Sequence, residues 1–199
     1  AADIIVGTQM LAKGHHFKRL NLVVLLDTDT GLFSQDFRGL ERLGQLITQV
    51  AGRAGREGEG EVIIQTHQVD NPYLNALVQK GYQVFSKALL KERQQCLWPP
   101  YSRLCLIRAK ARDLKQATTA LNEIKLKLYA FDDTTALLGP APALMERRAG
   151  HYQMQLLLKA QSHKRLLLQL KELRSMMYAS PKISKGVVIN FDVDCEDLN

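Results

Sequence analysis

Trp98-Pro99-Pro100-Tyr101 is the stretch that most restricts how this chain folds. Two prolines in series donate no backbone hydrogen bonds, fix their own φ, and push the preceding residue out of the helical region. No helix or interior strand continues through them, so the chain divides there. Upstream, apolar runs alternate with helical stripes; downstream, the pattern reads β-α-β-β-α-β. The 199 residues, 46% of them hydrophobic, are enough for two small cores. The expected organisation is a first domain over 1–70, a helical connector over 71–98 and a second domain over 99–199.

In the first domain, Asp3-Ile4-Ile5-Val6 reads as a short strand ending at Gly7-Thr8, followed by a short helix up to Gly14. Leu22-Val23-Val24-Leu25-Leu26 is uninterrupted, as in a strand covered on both faces, and ends in Asp27-Thr28-Asp29-Thr30-Gly31. Asp36 is placed to N-cap a helix whose buried stripe is Phe37, Leu40, Leu43, Leu46, Ile47 and Val50. A further strand covers 61–66. Three strands alternating with two helices predict a parallel α/β sheet, whose ligand-facing rim is the carboxyl end of its strands. Gly7, Thr8 and Asp27 fall on that rim; Asp29 either joins them or caps the next turn. His15-His16 lacks the third ligand that a metal site needs.

The long helix delivers Gln49-Val50-Ala51-Gly52-Arg53-Ala54-Gly55-Arg56. Arginines three residues apart, set among glycines, can aim two guanidinium groups at one small anion such as a phosphate. The same pattern also serves as a plain helix end, with cations against the dipole and Gly55 as cap.

Three stretches together resemble motifs V and VI of the superfamily 2 helicases. They are the run from Gly7 through Thr8, Lys13, Gly14, His15 and His16 to Phe17; Asp36-Phe37-Arg38 with Glu41-Arg42; and Gln49 through Arg56. More narrowly, the chain resembles the primosomal protein N′ family of bacterial replication-restart helicases. The resemblance runs on through Pro99-Pro100, residues 138–143 and Phe191-Asp192-Val193-Asp194. It implies a carboxyl-terminal piece of an ATP-dependent 3′-5′ DNA helicase that recognises stalled or abandoned forks and loads the primosome. The fold implied is part of RecA-like lobe 2 followed by a ferredoxin-like domain.

On that resemblance Arg56 is an arginine finger, Arg53 pairs with the same phosphates, and Gln49 orients the attacking water or γ-phosphate. Gly7, Thr8, Gly52 and Asp27 would couple the nucleotide to DNA, with Thr8 and Lys13 near the DNA strand. ATP with Mg²⁺ is the implied cofactor. Because the sequence shows neither a phosphate loop nor an Asp-Glu-x-His magnesium element, this chain is expected to hold half an ATP site and no hydrolysis of its own. Zn²⁺ is expected only in the longer protein. Lys18 departs from the family, which often has proline there, and Cys195 stands where a proline usually follows the final Asp. The competing readings are a noncatalytic nucleic-acid or protein adaptor that kept helicase-like motifs, and a different superfamily 2 translocase.

Beyond the prolines, strands are expected over 104–109, 137–138, 152–159 and 187–193, with helices over 114–129 and 164–177. Residues 139–142 read as a rigid turn. The net charge is +7, and the window 145–185 holds nine Lys/Arg against two acids. A local excess of this kind suits a polyanion. Arg147, Arg148, His151, Tyr152, Lys164 and Arg165 are the candidate DNA contacts, with Tyr152 stacking on a base; a core tyrosine within a hydrated basic rim fits equally. The same rim could receive the acidic tail of single-stranded DNA-binding protein, which the resemblance implies as a partner beside forked and single-stranded DNA and other primosome proteins. Asp192 and Asp194 read as flanking an edge strand.

Cys96, Cys105 and Cys195 form no Cys-x-x-Cys pair, and reduced, buried thiols are expected. With no apolar run near the ~20 residues that span a bilayer and no basic leader, the expectation is a cytoplasmic protein with no membrane contact, and the resemblance implies that it is bacterial.

Overall fold

The computed structural model describes residues 3–12, 20–54, 60–179 and 186–198, and the chain divides into two units, residues 1–92 and 93–199. In the first unit, β1 (Leu22–Leu25) and β2 (Glu61–Ile64) pair in parallel, with Val23 opposite Val62. Between them come a single turn, α1 (Asp29–Leu32), and the longer α2 (Gly39–Ala51). Leu43, Gly44, Ile47 and Val50 form the buried stripe of α2, at the spacing an amphipathic helix requires.

Three sequence expectations need correction here. Residues 3–6 form no strand, and Ile4 is 87% exposed; the described sheet of this unit has two strands, neither of which pairs with them. A lone extended run has nothing to satisfy its backbone. β1 is not covered on both faces: its residues alternate between exposed and half-buried, because the core lies on one side only. Asp36 is not the N-cap of α2, since that position is Arg38. It acts just outside the helix: its carboxylate accepts from the Arg38 amide at 3.0 Å and its carbonyl from the Gly39 amide at 2.8 Å.

The helical connector expected over 71–98 is not one helix but two, α3 (Pro72–Lys80) and α4 (Tyr82–Gln95). Asn71-Pro72 is a start written in neighbouring residues: Asn71 Oδ1 accepts from the Tyr73 and Leu74 amides, and Pro72 opens the helix. The break is Gly81, which ends α3 at φ 81° and returns its N–H to the Leu77 carbonyl. Leu74, Leu77, Phe85 and Leu89 share one core with Leu43 and Ile47, so both helices are built into the α/β unit. α2 and α4 meet at Gly44, where a Cβ would overlap the edge of the Phe85 ring.

The second unit contains β3 (Arg103–Ala111), α5 (Leu114–Phe131), β4 (Ala136–Arg148), β5 (His151–Ala160), α6 (His163–Ala179) and β6 (Val187–Val193). The sheet order is β4-β5-β3-β6 with every neighbour antiparallel, which is the split βαβ arrangement of ferredoxin-like topology. Cys105, Ile107, Ala109 and Ala111 of β3 and Met154, Leu156 and Leu158 of β5 share a core with Ala117, Leu121, Ile124 and Leu128 of α5 and Leu166 and Leu173 of α6. Asp113 caps α5 by accepting from the Lys115 amide at 3.0 Å.

Residues 139–142, expected as a turn, lie inside β4. The strand runs through them with register shifts between Leu138 and Ala141 and between Pro142 and Arg147. β4 is an edge strand, so prolines there forfeit no interior ladder bond. Cys105 and Cys195 are buried as expected, whereas Cys96, in the turn after α4, is exposed. Among the described residues no helix is long and apolar enough to cross a membrane.

Candidate functional site

In the first unit, the last turn of α2 sets the positions of Gln49, Gly52 and Arg53. Gly52 is the C-cap and returns its N–H to the Thr48 carbonyl at 3.1 Å, while the Arg53 and Ala54 amides both close on the Val50 carbonyl. This tightened end leaves Gln49 and Gly52 exposed and Arg53 half-buried. Gly7 and Thr8 are exposed ahead of the 3₁₀ turn Gln9–Ala12, which packs beside α2. Thr8 closes that turn, accepting from the Leu11 amide at 2.9 Å through its carbonyl. Arg56 and Lys13 lie outside the described residues.

The carboxyl ends of β1 and β2 are tied together by side chains. The Thr28 hydroxyl donates to the Gln65 carbonyl at 2.6 Å. Asp29 accepts from the Thr66 hydroxyl at 2.5 Å and from the His67 amide at 2.9 Å, and its carboxylate lies 2.6 Å from His67 Nδ1. The Thr66 hydroxyl, and after it the His67 amide and ring, hold the Asp29 carboxyl below the usual carboxylate range. Asp27 is exposed at φ 52° and accepts from the Thr30 hydroxyl at 2.7 Å. Of the two acids, Asp29 thus joins the strands and Asp27 holds the turn. Sequence reading missed His67, because its partner is 38 residues away.

Asp36 and Arg42, noted in the sequence only as part of a motif, form an ion pair at 2.7 Å with the Asp36 side chain 3% exposed. The pair braces the loop that leads into α2, the helix that carries Gln49 and ends just before Gly52 and Arg53.

In the second unit the candidate contacts separate into two groups. Arg147 faces Tyr152 and Arg148 faces His151 across the β4–β5 hairpin, closed by Ala149 and Gly150, both at positive φ. Such a two-residue turn matches the twist of the strands. The Arg147 guanidinium stands 5.3 Å from the centroid of the Tyr152 ring, which fixes the cation over the aromatic face. Lys164 and Arg165 lie at the start of α6, beyond the far end of β5. Ten residues of strand separate the two ends, about 30 Å at ~3.3 Å per residue. The basic window of the sequence is therefore not one patch.

Other residues join the hairpin. In β3, Lys110 pairs with Gln153 and Ala111 with Tyr152, which brings Lys110, Arg112 and the first turn of α5, with Lys115, to the hairpin end of the sheet. Asp113 and Glu146 are the nearby acids, and Asp113 is engaged as the α5 cap. These cations lie more than thirty positions upstream of Arg147, so only strand register could reveal the grouping.

At the other end, Arg165 Nη1 donates to the Thr134 hydroxyl at 2.6 Å. The Asp132 carboxyl there is held below its ordinary value, first by the Thr134 hydroxyl and further by the Arg165 charge. Lys159 donates to the Cys96 carbonyl at 2.6 Å and stands 4.6 Å over the Trp98 ring; burial lowers its pKa.

The fold and its charge define a two-unit protein, a parallel α/β unit followed by a split βαβ sheet with one strongly basic end. Residues 94–196 match the model of the Primosomal protein N C-terminal domain, and the chain belongs to that family. It is 45% identical to the replication restart protein PriA of Haemophilus influenzae, over 100% of this chain and 27% of that protein. Similarity to the proteins of the same name from Synechocystis (35%, over 97% of this chain and 23% of the relative) and Bacillus subtilis (34%, over 97% and 24%) also spans both units. The chain thus spans about a quarter of the length of these relatives.

Proposed function

We propose that this chain supplies the second-lobe and carboxyl-terminal portions of an ATP-dependent 3′-5′ DNA helicase acting in replication restart. The observation that carries this reading is the glycine–arginine element at the end of α2, in a chain similar along its whole length to proteins named for replication restart. The first unit then forms part of a RecA-like lobe 2. Arg56 and Arg53 approach the γ-phosphate of ATP, and Gln49 orients the attacking water or the phosphoryl group. Their value lies in fixed, planar charge placed where negative charge develops on the transferred oxygens.

ATP with Mg²⁺ would be bound jointly with a lobe outside this chain, and zinc would belong to the longer protein. Of the residues fitted to that role, Gly52 is the exposed cap of α2 and Arg53 follows it directly, with its amide closed on the Val50 carbonyl. Gly7, Thr8 and Asp27, with the ends of β1 and β2, would transmit nucleotide state to DNA passing Thr8 and Lys13. The working compartment is the bacterial cytoplasm.

In the second unit, the hairpin end with Arg147, Arg148 and Tyr152 is the surface for forked and single-stranded DNA. The α6 end, with Lys164 and Arg165, is the surface for the acidic tail of single-stranded DNA-binding protein, with other primosome proteins recruited to the same assembly. The separation of the two basic groups supports assigning them to two polyanions rather than one.

The test is DNA-stimulated ATP hydrolysis by a full-length protein containing this chain, native against Arg56→Ala and Arg53→Ala, with DNA binding and folding checked in parallel. An arginine finger contributes roughly 10³ to 10⁵ in turnover, so a loss on that scale is expected for Arg56→Ala. Near-native turnover overturns the catalytic reading and leaves a nucleic-acid or protein adaptor. The isolated chain is expected to show no turnover, and measurable hydrolysis by it would contradict the half-site.

A further inference from the structure

The two edges of the four-stranded sheet are built differently. β4 carries Pro140 and Pro142 and two register shifts, devices that keep an edge strand from accepting another partner. β6, the opposite edge among the described residues, reads Val187-Val188-Ile189-Asn190-Phe191-Asp192-Val193 and pairs with β3 without a shift. It has neither proline nor lysine, and its one charge, Asp192, is engaged by Arg108 of its own sheet at 2.9 Å. A β-branched and aromatic strand with one open side is a template for a further strand.

Beside that edge lies a cavity of about 460 Å³, bounded by Phe191 of β6 and by Leu170, Arg174, Met177 and Tyr178 of α6. Leu170 and Met177 pack against the core and form its floor. Tyr178 is 75% exposed and Phe191 39%. The Arg174 guanidinium stands 5.7 Å from the centroid of the Tyr178 ring, and no carboxylate of the described residues pairs with it. Lys171, exposed on the preceding turn of α6, adds a second positive charge to the helix beside the cavity.

We propose that β6 receives an extended segment of a partner protein as an added strand, with an apolar or aromatic side chain in the cavity and a neighbouring carboxylate on Arg174. Strand addition supplies affinity through the main chain, and every second side chain then falls on the helix side of the sheet, where the cavity is. Charge selects the occupant. Asp192 and Asp194 of this strand end are each paired with an arginine of β3, Arg108 at 2.9 Å and Arg103 at 3.9 Å, whereas Arg174 and Lys171 pair with no carboxylate among the described residues, and an acidic side chain of the segment neutralises them. A nucleic acid would meet Arg174 but leave the amides and carbonyls of β6 without strand partners. This surface is independent of the ATP reading and lies outside the residues assigned above to DNA.

The experiment uses the full chain and a fluorescein-labelled peptide of about eight residues in which Asp alternates with Val and Phe, followed by fluorescence anisotropy. Saturable binding is expected, weakened at least about tenfold by Arg174→Glu. Tyr178→Ala, which leaves the charge intact, should weaken it as well. N-methylation of alternate peptide amides should abolish it, and the amides of β6 should gain protection from hydrogen exchange in the complex. Circular dichroism confirms that the variants fold, and Arg174→Gln serves as the milder substitution. The proposal is overturned by absence of binding, by binding indifferent to N-methylation, by displacement of the peptide with a single-stranded oligonucleotide, or by self-association of the chain that Arg174→Glu abolishes.

Discussion

Arg147 and Tyr152 face each other across the β4–β5 hairpin, with the guanidinium 5.3 Å from the ring centroid. The pairing holds a cation and an aromatic face together at the end of the sheet that also gathers Arg148, Lys110 and Arg112. A phosphate backbone and an unstacked base could be met there by neighbouring groups. If this end binds DNA, each phosphate contact removed should lower the slope of log affinity against log salt by ~0.7 to 0.9. Arg147→Ala, Arg148→Ala and Lys110→Ala are each expected to show that reduction in a salt series with single-stranded and forked DNA. Arg165→Ala, about 30 Å away along β5, should leave the slope unchanged. An equal effect of Arg165→Ala would reunite the two groups into one DNA surface.

Gly44 determines how closely α2 and α4 approach, since a Cβ there would overlap the Phe85 ring, itself 1% exposed. Gly44→Ala gains helix propensity, by up to ~1 kcal/mol, but overpacks a fully buried aromatic contact, which typically costs about 1 to 3 kcal/mol. The packing effect should win. Urea titration should show net destabilisation of the first unit, partly recovered in the double variant with Phe85→Leu, which gives the new methyl room. Stabilisation by Gly44→Ala alone would mean that the helices can separate at no cost.

Several features of this architecture are legible in the chain because their causes are local. The stripe Leu43, Ile47 and Val50, the Asn71-Pro72 start and the strand–helix order of the second unit each follow from neighbours a few positions apart. The failures have physical reasons too. Gly81 lies inside a continuous apolar stripe, and periodicity alone does not show that its φ turns positive. The apolar residues Ile4 and Val6 look like a strand, but a strand exists only where an edge accepts it. Pro140 and Pro142 signal a turn until β4 proves to be an edge. The site was least legible where it depends on register: Lys110 reaches Arg147 through two strand pairings, while Lys164, far nearer in sequence, lies at the opposite end.

Asp29 links stability to pH through the ends of β1 and β2. Its carboxyl is held below the ordinary value of 3.8, chiefly by the Thr66 hydroxyl. A carboxyl whose folded pKa lies below its unfolded pKa contributes stability that is complete above the unfolded value and lost as pH falls through the folded one. Asp29→Asn should therefore destabilise the first unit at neutral pH, and the difference from the native chain should shrink as pH drops below about 3.8. Urea midpoints measured across an acid series check this. A difference that persists at the lowest pH would mean that the asparagine disturbs the turn rather than removing a charge.

The three cysteines should differ sharply in reactivity. Burial pushes the Cys105 thiol up to about 12 and the Cys195 thiol up to about 11, whereas Cys96 is exposed. Because the thiolate is the nucleophile, at pH 8 only about one Cys105 side chain in ten thousand is in the reactive form, and it is also enclosed by the core. Brief treatment of the folded chain with iodoacetamide should thus add one carboxamidomethyl group, located to Cys96 by peptide mass spectrometry. In denaturant all three should react. Cys105 and Cys195 lie where β3 meets the end of β6, with Cys105 opposite Val193, so their rate in the folded chain reports how often that end of the sheet opens. Modification of either at the rate of Cys96 would show that β6 detaches readily from β3 and is not a stable edge.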